Sequence, residues 1–521
     1  MCGIAAAYLK DRSKNVAGML YGMLVSQENR MNYSAGINVY RSDRENDFLI
    51  TQEIGVGPID KAFGLESERK ARLGGLEGYA GIAQGRYATS NANRQFTTGQ
   101  KERMAQPSRN ITDKLATTFS FAFNGNIANF QDLFDELRGP KQGYHIRTRT
   151  DTEVLRILIK KGISKALKVT GKPILDQEAF KDIFAELSEK VIGAYSLVFL
   201  DATGNLILAR DKEGTRPLVY TVEDFGLLAA SEPTAFTDLG LKGPFFDVEP
   251  GHIVMMDGQN TLSEQIQFAA PKRAHCGFEF QYFSNITSTY DGINVQKVRR
   301  AQGRAFAYHP LLKDMEFTTR DLVIGIPETA REFVGGFIEG WVEQGKLPPA
   351  PLEMLFKRKQ YRNFMEDQPA DRKEKVKHKF RITEGIAKGK RLWVFDDSYV
   401  RGDVLQGLIP MIKEAAQPDE IHALIAWDQF RHPCYRGIDV PHASQLLSTQ
   451  FSGDLDRIRE HLGLTSLTHL PIETTRQLLA ENSSGKLTID DFCTACSDGN
   501  YPTQYEKEQA GLIPAARLVR R

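Results

Sequence analysis

Apolar and polar positions follow two different rhythms in the two halves of this chain. Residues 4–9 form an unbroken apolar run with the length of a buried strand. Residues 15–28 carry apolar side chains at helical spacing. The segment 81–89 predicts a strand ending in a polar turn, and 117–123 predicts another apolar strand. Asn124-Gly125-Asn126 closes it, a combination that ordinarily marks a turn. Thr150-Asp151-Thr152-Glu153 reads as a helix start, its acidic residues near the positive dipole end, with helical pattern over 154–161. From Pro271 the texture changes. Residues 276–283 are aromatic-rich, and 291–307 are basic and helix-like. A buried parallel-type strand is predicted at 321–327. Residues 391–396 start a strand, polar loop and helix (404–416), and 422–427 predict a third strand. Strands alternating with helices argue for a parallel sheet with ligands at its carboxyl ends. The charged run 371–381 predicts a solvated helix.

The remaining bulk properties narrow the class. A chain of 521 residues suggests two to three domains. With 41% hydrophobic and 26% charged residues it has the make-up of a soluble globular protein. A net charge of +1 gives no case for a nucleic-acid or membrane partner. No apolar run approaches the ~20 residues of a membrane span, and the first residues lack the layout of a signal peptide, so a cytoplasmic protein is expected.

Two sets of residues carry candidate chemistry. The first is Cys2. If Met1 is removed, one residue holds both a thiol nucleophile and a free α-amine whose ordinary pKa is roughly 7.7–8.0, so the amine can take the thiol's proton. The second is the other four cysteines, Cys276, Cys434, Cys493 and Cys496. They are too few for a disulfide scaffold, and four thiolates suit either a tetrahedral zinc site or a cubane iron–sulfur cluster.

Met1-Cys2-Gly3-Ile4, Gly85-Arg86-Tyr87-Ala88-Thr89, Phe123-Asn124-Gly125-Asn126 and Asp151-Thr152-Glu153 occur in that order, followed by Arg210-Asp211, Gly214-Thr215-Arg216-Pro217 and Glu249-Pro250-Gly251. This set resembles the N-terminal-nucleophile glutamine amidotransferases. The resemblance implies an αββα sandwich over residues 2–265. It implies Cys2 as nucleophile and Asn124 and Gly125 as oxyanion hole. Arg86, Tyr87, Thr89 and Asp151 would bind glutamine, Arg86 taking its carboxylate and Asp151 its amine. Phe123 stands where many relatives carry His, and residues 139–189 include an extra-looking Lys-rich stretch.

The second half, 266–521, resembles the type I phosphoribosyltransferases. The two halves together resemble the glutamine phosphoribosylpyrophosphate amidotransferase family of purine synthesis, in its iron–sulfur branch. That resemblance implies a phosphoribosyl site at Asp396, Asp397, Ser398, Val400, Arg401 and Gly402, and Mg²⁺ at Asp396, Asp397 and Thr329. It also implies a structural [4Fe–4S] cluster on the four cysteines, and ammonia passing internally from glutamine to C1 of phosphoribosyl pyrophosphate. A homo-oligomer is expected. One departure bears on the substrate. Relatives follow Arg-Gly with two threonines that cradle the 5′-phosphate, whereas this chain has Asp403-Val404. Like charges ~4 Å apart repel by about 1 kcal/mol in water and by several times that at a protein surface. The closing loop is also altered, its nearest counterpart being Tyr361-Arg362-Asn363-Phe364. These departures leave room for a glutaminase serving an acceptor without a 5′-phosphate, or for a silent regulatory relative.

Overall fold

The computed structural model describes residues 1–43, 48–87, 97–357, 379–440 and 442–514. Its first half stacks two antiparallel sheets. One has seven strands, in the order Phe246–Asp247, Val219–Glu223, Gly226–Ala230, Gly3–Leu9, Ala80–Arg86, Ser34–Tyr40 and Ile50–Val56. The other has six: Ile266–Gln267, His252–Met256, Leu206–Arg210, Gly193–Asp201, Phe119–Ile127 and Ser108–Asn110. The side-chain period of two sorts each strand between layers. In Phe119–Ile127, Ala122 packs toward the facing sheet. Phe119, Phe121 and Phe123 pack against Val154, Leu158 and Phe184 of the helices Asp151–Thr170 and Gln177–Lys190. Helix Ala17–Ser26 covers the first sheet through Leu20, Met23 and Leu24. The layers therefore run helix, sheet, sheet, helix.

The expected turn at Asn124-Gly125-Asn126 is instead strand. The ladder continues with Gly125 opposite Tyr195 and Ile127 opposite Gly193. A Cβ at position 125 would lie 1.8 Å from the Ala194 carbonyl oxygen, so here glycine permits close pairing rather than a reversal. The helix expected at 154–161 is longer. Thr150 caps it by accepting the Glu153 N–H at 3.4 Å, and it runs over Asp151–Thr170, where Gly171 at φ 66° ends it.

The second half is built on five parallel strands in the order Ala350–Pro351, Asp321–Gly325, Arg391–Asp396, Glu420–Ile425 and Ser466–His469. Phe333, Phe337 and Trp341 of helix Arg331–Glu343 pack on Val323, Trp393 and Phe395 on one face. Leu405, Leu408 and Ile409 of helix Asp403–Ala415 pack on Ile324, Leu392 and Val394 on the other. The basic helix begins at Val295, later than expected, because the short hairpin Thr289–Tyr290 with Ile293–Asn294 precedes it. Most of the charged run 371–381, and all of 361–364, lie outside the described residues. Among the described residues no helix is long and apolar enough to cross a membrane.

Candidate active site

Cys2 leads directly into Gly3–Leu9, a strand at the middle of the seven-stranded sheet. Its backbone N–H donates to Asn124 Oδ1 at 3.1 Å. Asn124 is fully buried, and its Nδ2 has no partner among the described residues. A buried donor left unpaired costs about 1–3 kcal/mol, so it is the kind of group a ligand oxygen would satisfy. Arg86 ends its strand, donates to the Met104 carbonyl at 2.7 Å, and lies over the Tyr33 ring at 5.1 Å. Burial pushes the Asp151 carboxyl up, and the charge of Arg86 opposes that push. The two opposite charges thus share one place, as the carboxylate and ammonium of an amino acid require. Thr89 lies outside the described residues.

Met1 is 2% exposed. It packs with Phe278, Trp427 and Ile438, and burial pushes its α-amine down to about 6. On its other side Met1 lines a cleft of about 330 Å³ at the carboxyl ends of the parallel strands. Tyr87 lines the same cleft and meets Phe283 edge-on at 6.5 Å. Met1, the sequence neighbour of Cys2, therefore also borders the second site.

The cleft gathers Thr329, Asp396, Asp397, Ser398, Val400, Arg401 and Gly402. The Asp397 N–H donates to Asp396 Oδ1 at 3.0 Å, and the Ser398 hydroxyl to Asp397 Oδ1 at 2.8 Å. Burial, reinforced by the neighbouring Asp397, pushes Asp396 well up. Burial lifts Asp397 to about 6, against Ser398, Arg299, Thr329 and Lys379. Two adjacent buried carboxylates call for a compensating cation, and hard oxygen donors of this kind suit Mg²⁺. Arg401 is held by Gln445 Oε1 at 2.8 Å and lies 3.8 Å from Asp439. Gly402 adopts φ 78° and the helix starts at Asp403, which also lines the cleft.

The four cysteines come together from three segments. Cys276 pairs with Cys493 in a short parallel ladder, and Cys276, Cys496 and Cys434 belong to one apolar cluster. Burial pushes the Cys276 thiol up to about 11 and also raises those of Cys493 and Cys496, and at least one neighbouring cysteine adds to the push on each. As placed, no three His, Cys, Asp or Glu side chains among the described residues converge to hold a metal ion. The donor chemistry, four soft thiols of which Cys276 and Cys496 are buried and Cys434 and Cys493 half-buried, suits zinc or iron–sulfur and not a hard cation.

A buried charge network joins the halves. Arg30 pairs with Glu232 and, at 2.5 Å, with Glu279, which also holds Arg216 at 2.9 Å. Arg216 donates to the Arg436 carbonyl at 3.0 Å, Arg436 pairs with Glu506 at 2.7 Å, and Asn126 Nδ2 donates to the Tyr435 carbonyl at 2.7 Å.

Residues 93–238 match the glutamine amidotransferase domain family. The chain is 29% identical over 505 residues to the amidophosphoribosyltransferase of Methanothermobacter thermautotrophicus, covering 96% of this chain and 94% of that protein. It is 30% identical over 508 residues to that of Pyrococcus horikoshii, covering 96% of each. The chain belongs to the amidophosphoribosyltransferase family. Amidophosphoribosyltransferases are glutamine amidotransferase enzymes, and the fold agrees. A glutamine phosphoribosylpyrophosphate amidotransferase from B. subtilis, complexed with ADP and GMP, superimposes with a TM-score of 0.76 at 26% identity, over 97% of this chain and 98% of that one. A structure described as the allosteric regulatory enzyme of purine biosynthesis gives 0.77 at 26% identity, over 97% of both. The two-part architecture, a glutamine amidotransferase sandwich followed by a phosphoribosyltransferase-like parallel sheet, is thus that of amidophosphoribosyltransferases. Motif reading missed Arg30, the pairing of Glu279 and the cleft-lining role of Met1, and took Ser231-Glu232-Pro233 only as part of the family resemblance. One signal was present: Glu279 is a lone charge inside the aromatic run 276–283, and a charge buried among aromatics needs a partner.

Proposed function

We propose that this chain is a glutamine-dependent amidophosphoribosyltransferase with its halves at 2–265 and 266–521, working after Met1 has been removed. The Cys2 amine takes the thiol proton and the sulfur attacks the amide carbon of glutamine. Asn124 Nδ2 and the Gly125 N–H receive the oxyanion. The C–N bond breaks, ammonia leaves with the returned proton, and water hydrolyses the thioester to glutamate. Arg86, Tyr87 and Asp151 hold the amino-acid end, with Thr89 assigned to the same task. The ammonia attacks C1 of phosphoribosyl pyrophosphate and pyrophosphate departs, giving phosphoribosylamine. Asp396, Asp397, Ser398, Val400, Arg401 and Gly402 orient the sugar phosphate. Mg²⁺, held by Asp396, Asp397 and Thr329, would neutralise charge on the pyrophosphate. Cys276, Cys434, Cys493 and Cys496 hold a structural [4Fe–4S] cluster in this reading, which places the chain in the iron–sulfur branch. A homo-oligomer and a cytoplasmic location belong to the same reading.

The observation that carries the reading is the pairing of Asn124 Oδ1 with the Cys2 nitrogen while Nδ2 stays buried and unpaired. A second reading rests on Asp403, whose carboxylate begins the helix at the cleft. In that reading the acceptor lacks a 5′-phosphate. Titrating phosphoribosyl pyrophosphate against purified protein with glutamine decides between them. Glutamine-dependent pyrophosphate release supports the first. Glutamine turnover indifferent to the compound supports the second. No glutamine turnover by protein that begins at Cys2 refutes both and leaves a regulatory relative.

A further inference from the structure

Gln84 ties the two sheets of the sandwich together at one residue. It lies in strand Ala80–Arg86, opposite Ile4 on one side and Gly36 on the other, and is fully buried. Its side chain crosses to the facing sheet and takes both backbone groups of Phe123. Nε2 donates to the Phe123 carbonyl at 2.8 Å, and Oε1 accepts the Phe123 N–H at 3.2 Å. Those backbone groups have no ladder partner. The neighbouring strand Ser108–Asn110 pairs with Phe119, Ser120 and Phe121 and, among the described residues, its ladder reaches no further. Beyond Phe121 that side of the strand is an edge inside the protein, and the Gln84 amide fills it as one peptide group of a further strand would. The Phe123 ring packs into the helix layer, so the grip is on backbone alone and does not depend on which side chain occupies position 123.

The tie falls where the geometry of glutamine hydrolysis is set. Ile4, opposite Gln84, is two residues from Cys2, and Phe123 immediately precedes Asn124 and Gly125. We propose that Gln84 is a positioning residue for glutamine hydrolysis, fixing the distance between the Cys2 sulfur and the oxyanion donors, Asn124 Nδ2 and the Gly125 N–H. This assignment rests on the reading of those three residues as the hydrolytic site. An amide bonded at both its donor and its acceptor lets Phe123 neither slide along its strand nor draw away from the facing sheet. Without it the edge beyond Phe121 is free to shift, and a misplacement of about 1 Å costs about 10²-fold in rate. Arg86 is held separately, by the Met104 carbonyl and the Tyr33 ring, so the grip on the amino-acid end of glutamine should survive.

The test measures glutamate release from glutamine by the full chain beginning at Cys2. Gln84→Met keeps the reach of the side chain and removes both bonds. Its kcat should fall about 10–100-fold while KM for glutamine stays within about twofold of wild type. Asn38→Ala is the control. Asn38 Nδ2 donates to Ser120 Oγ at 2.6 Å, a buried bond between the same two sheets but four residues from Asn124. Its loss should lower the melting temperature and leave kcat within about threefold of wild type. A folded Gln84→Met whose kcat stays within about threefold overturns the proposal, as does an equal loss of kcat in both variants, which would reduce the bond to adhesion between layers. Gln84→Glu decides the matter if the methionine variant fails to fold. When protonated, the new carboxyl donates and accepts as the amide does; when ionised, it has nothing to donate to the Phe123 carbonyl. Burial can raise such a carboxyl to about 8–9, so kcat relative to wild type at the same pH should fall as pH rises from about 6 to 9. A ratio that stays constant over that range overturns the proposal. A wild type that releases no glutamate overturns the hydrolytic site and the positioning role together, whereas an active wild type with an indifferent Gln84→Met overturns only the second.

Discussion

Asn124→Ala is the sharpest single test of the glutaminase site. The side chain does two things at once. Oδ1 takes the Cys2 N–H at 3.1 Å, and Nδ2 is the buried donor without a partner. A donor already unpaired in the resting site gains its bond only when an oxyanion forms, so its loss should fall on kcat and leave KM for glutamine nearly unchanged. Removing one such donor typically costs ~2.7–4 kcal/mol, or about 10²–10³ in kcat. Loss of the Oδ1 contact frees the nitrogen of Cys2 to turn, which pushes the effect toward the upper end. The Gly125 N–H remains, so residual activity above background is expected. The assay is glutamate production from glutamine, with ammonia-supplied synthesis on the same preparation as an internal control. That control should be unaffected, because the parallel-sheet site is untouched. A kcat loss under about tenfold, or a parallel fall in the ammonia reaction, would refute the oxyanion assignment.

Other expectations follow from the same geometry. Cys2→Ala should abolish glutamine-driven product while sparing ammonia-driven product, and intact-mass measurement of active enzyme should show Met1 absent. Glu506→Gln removes the nearer acid at buried Arg436, with Glu213 remaining at 3.9 Å, and should destabilise the protein by up to about 3–5 kcal/mol, read by denaturant unfolding. Asp247 is raised from 3.8 to about 6 by burial and by Asp291, so the folded state holds its proton more tightly than the unfolded state does. Stability should then fall as pH rises from about 4 to 6 and stay flat above. Asp247→Asn should therefore raise the melting temperature at pH 7.5, by no more than about 3 kcal/mol in stability, with the gain vanishing near pH 4. An equal gain at both pH values would contradict that account.

Local pattern made the elements legible, and it could not reach contacts made across the chain. Apolar runs at 4–9 and 391–396 correspond to strands Gly3–Leu9 and Arg391–Asp396, because a buried strand writes its burial into consecutive residues. Asn124-Gly125 is ambiguous locally: the same dipeptide reverses a hairpin or lets two backbones approach, and the approach of Ala194 decides between them. The candidate residues Arg86 and Asp151 come together, as do Asp396, Asp397 and Thr329, since each closes a strand or opens a helix at its site. The Arg30, Glu232, Glu279 and Arg216 network has no spacing signature, because its members lie up to about 250 residues apart and meet only through tertiary packing.

The bond from Asn126 to the Tyr435 carbonyl and the chain of pairs from Glu279 through Arg216 and Arg436 to Glu506 tie the two halves through buried partners. Severing the chain between the halves would take Glu279 away from Arg216 and the acceptor away from Asn126, so the sandwich produced by itself should be less stable than within the whole chain, by the cost of leaving a buried charge without its partner.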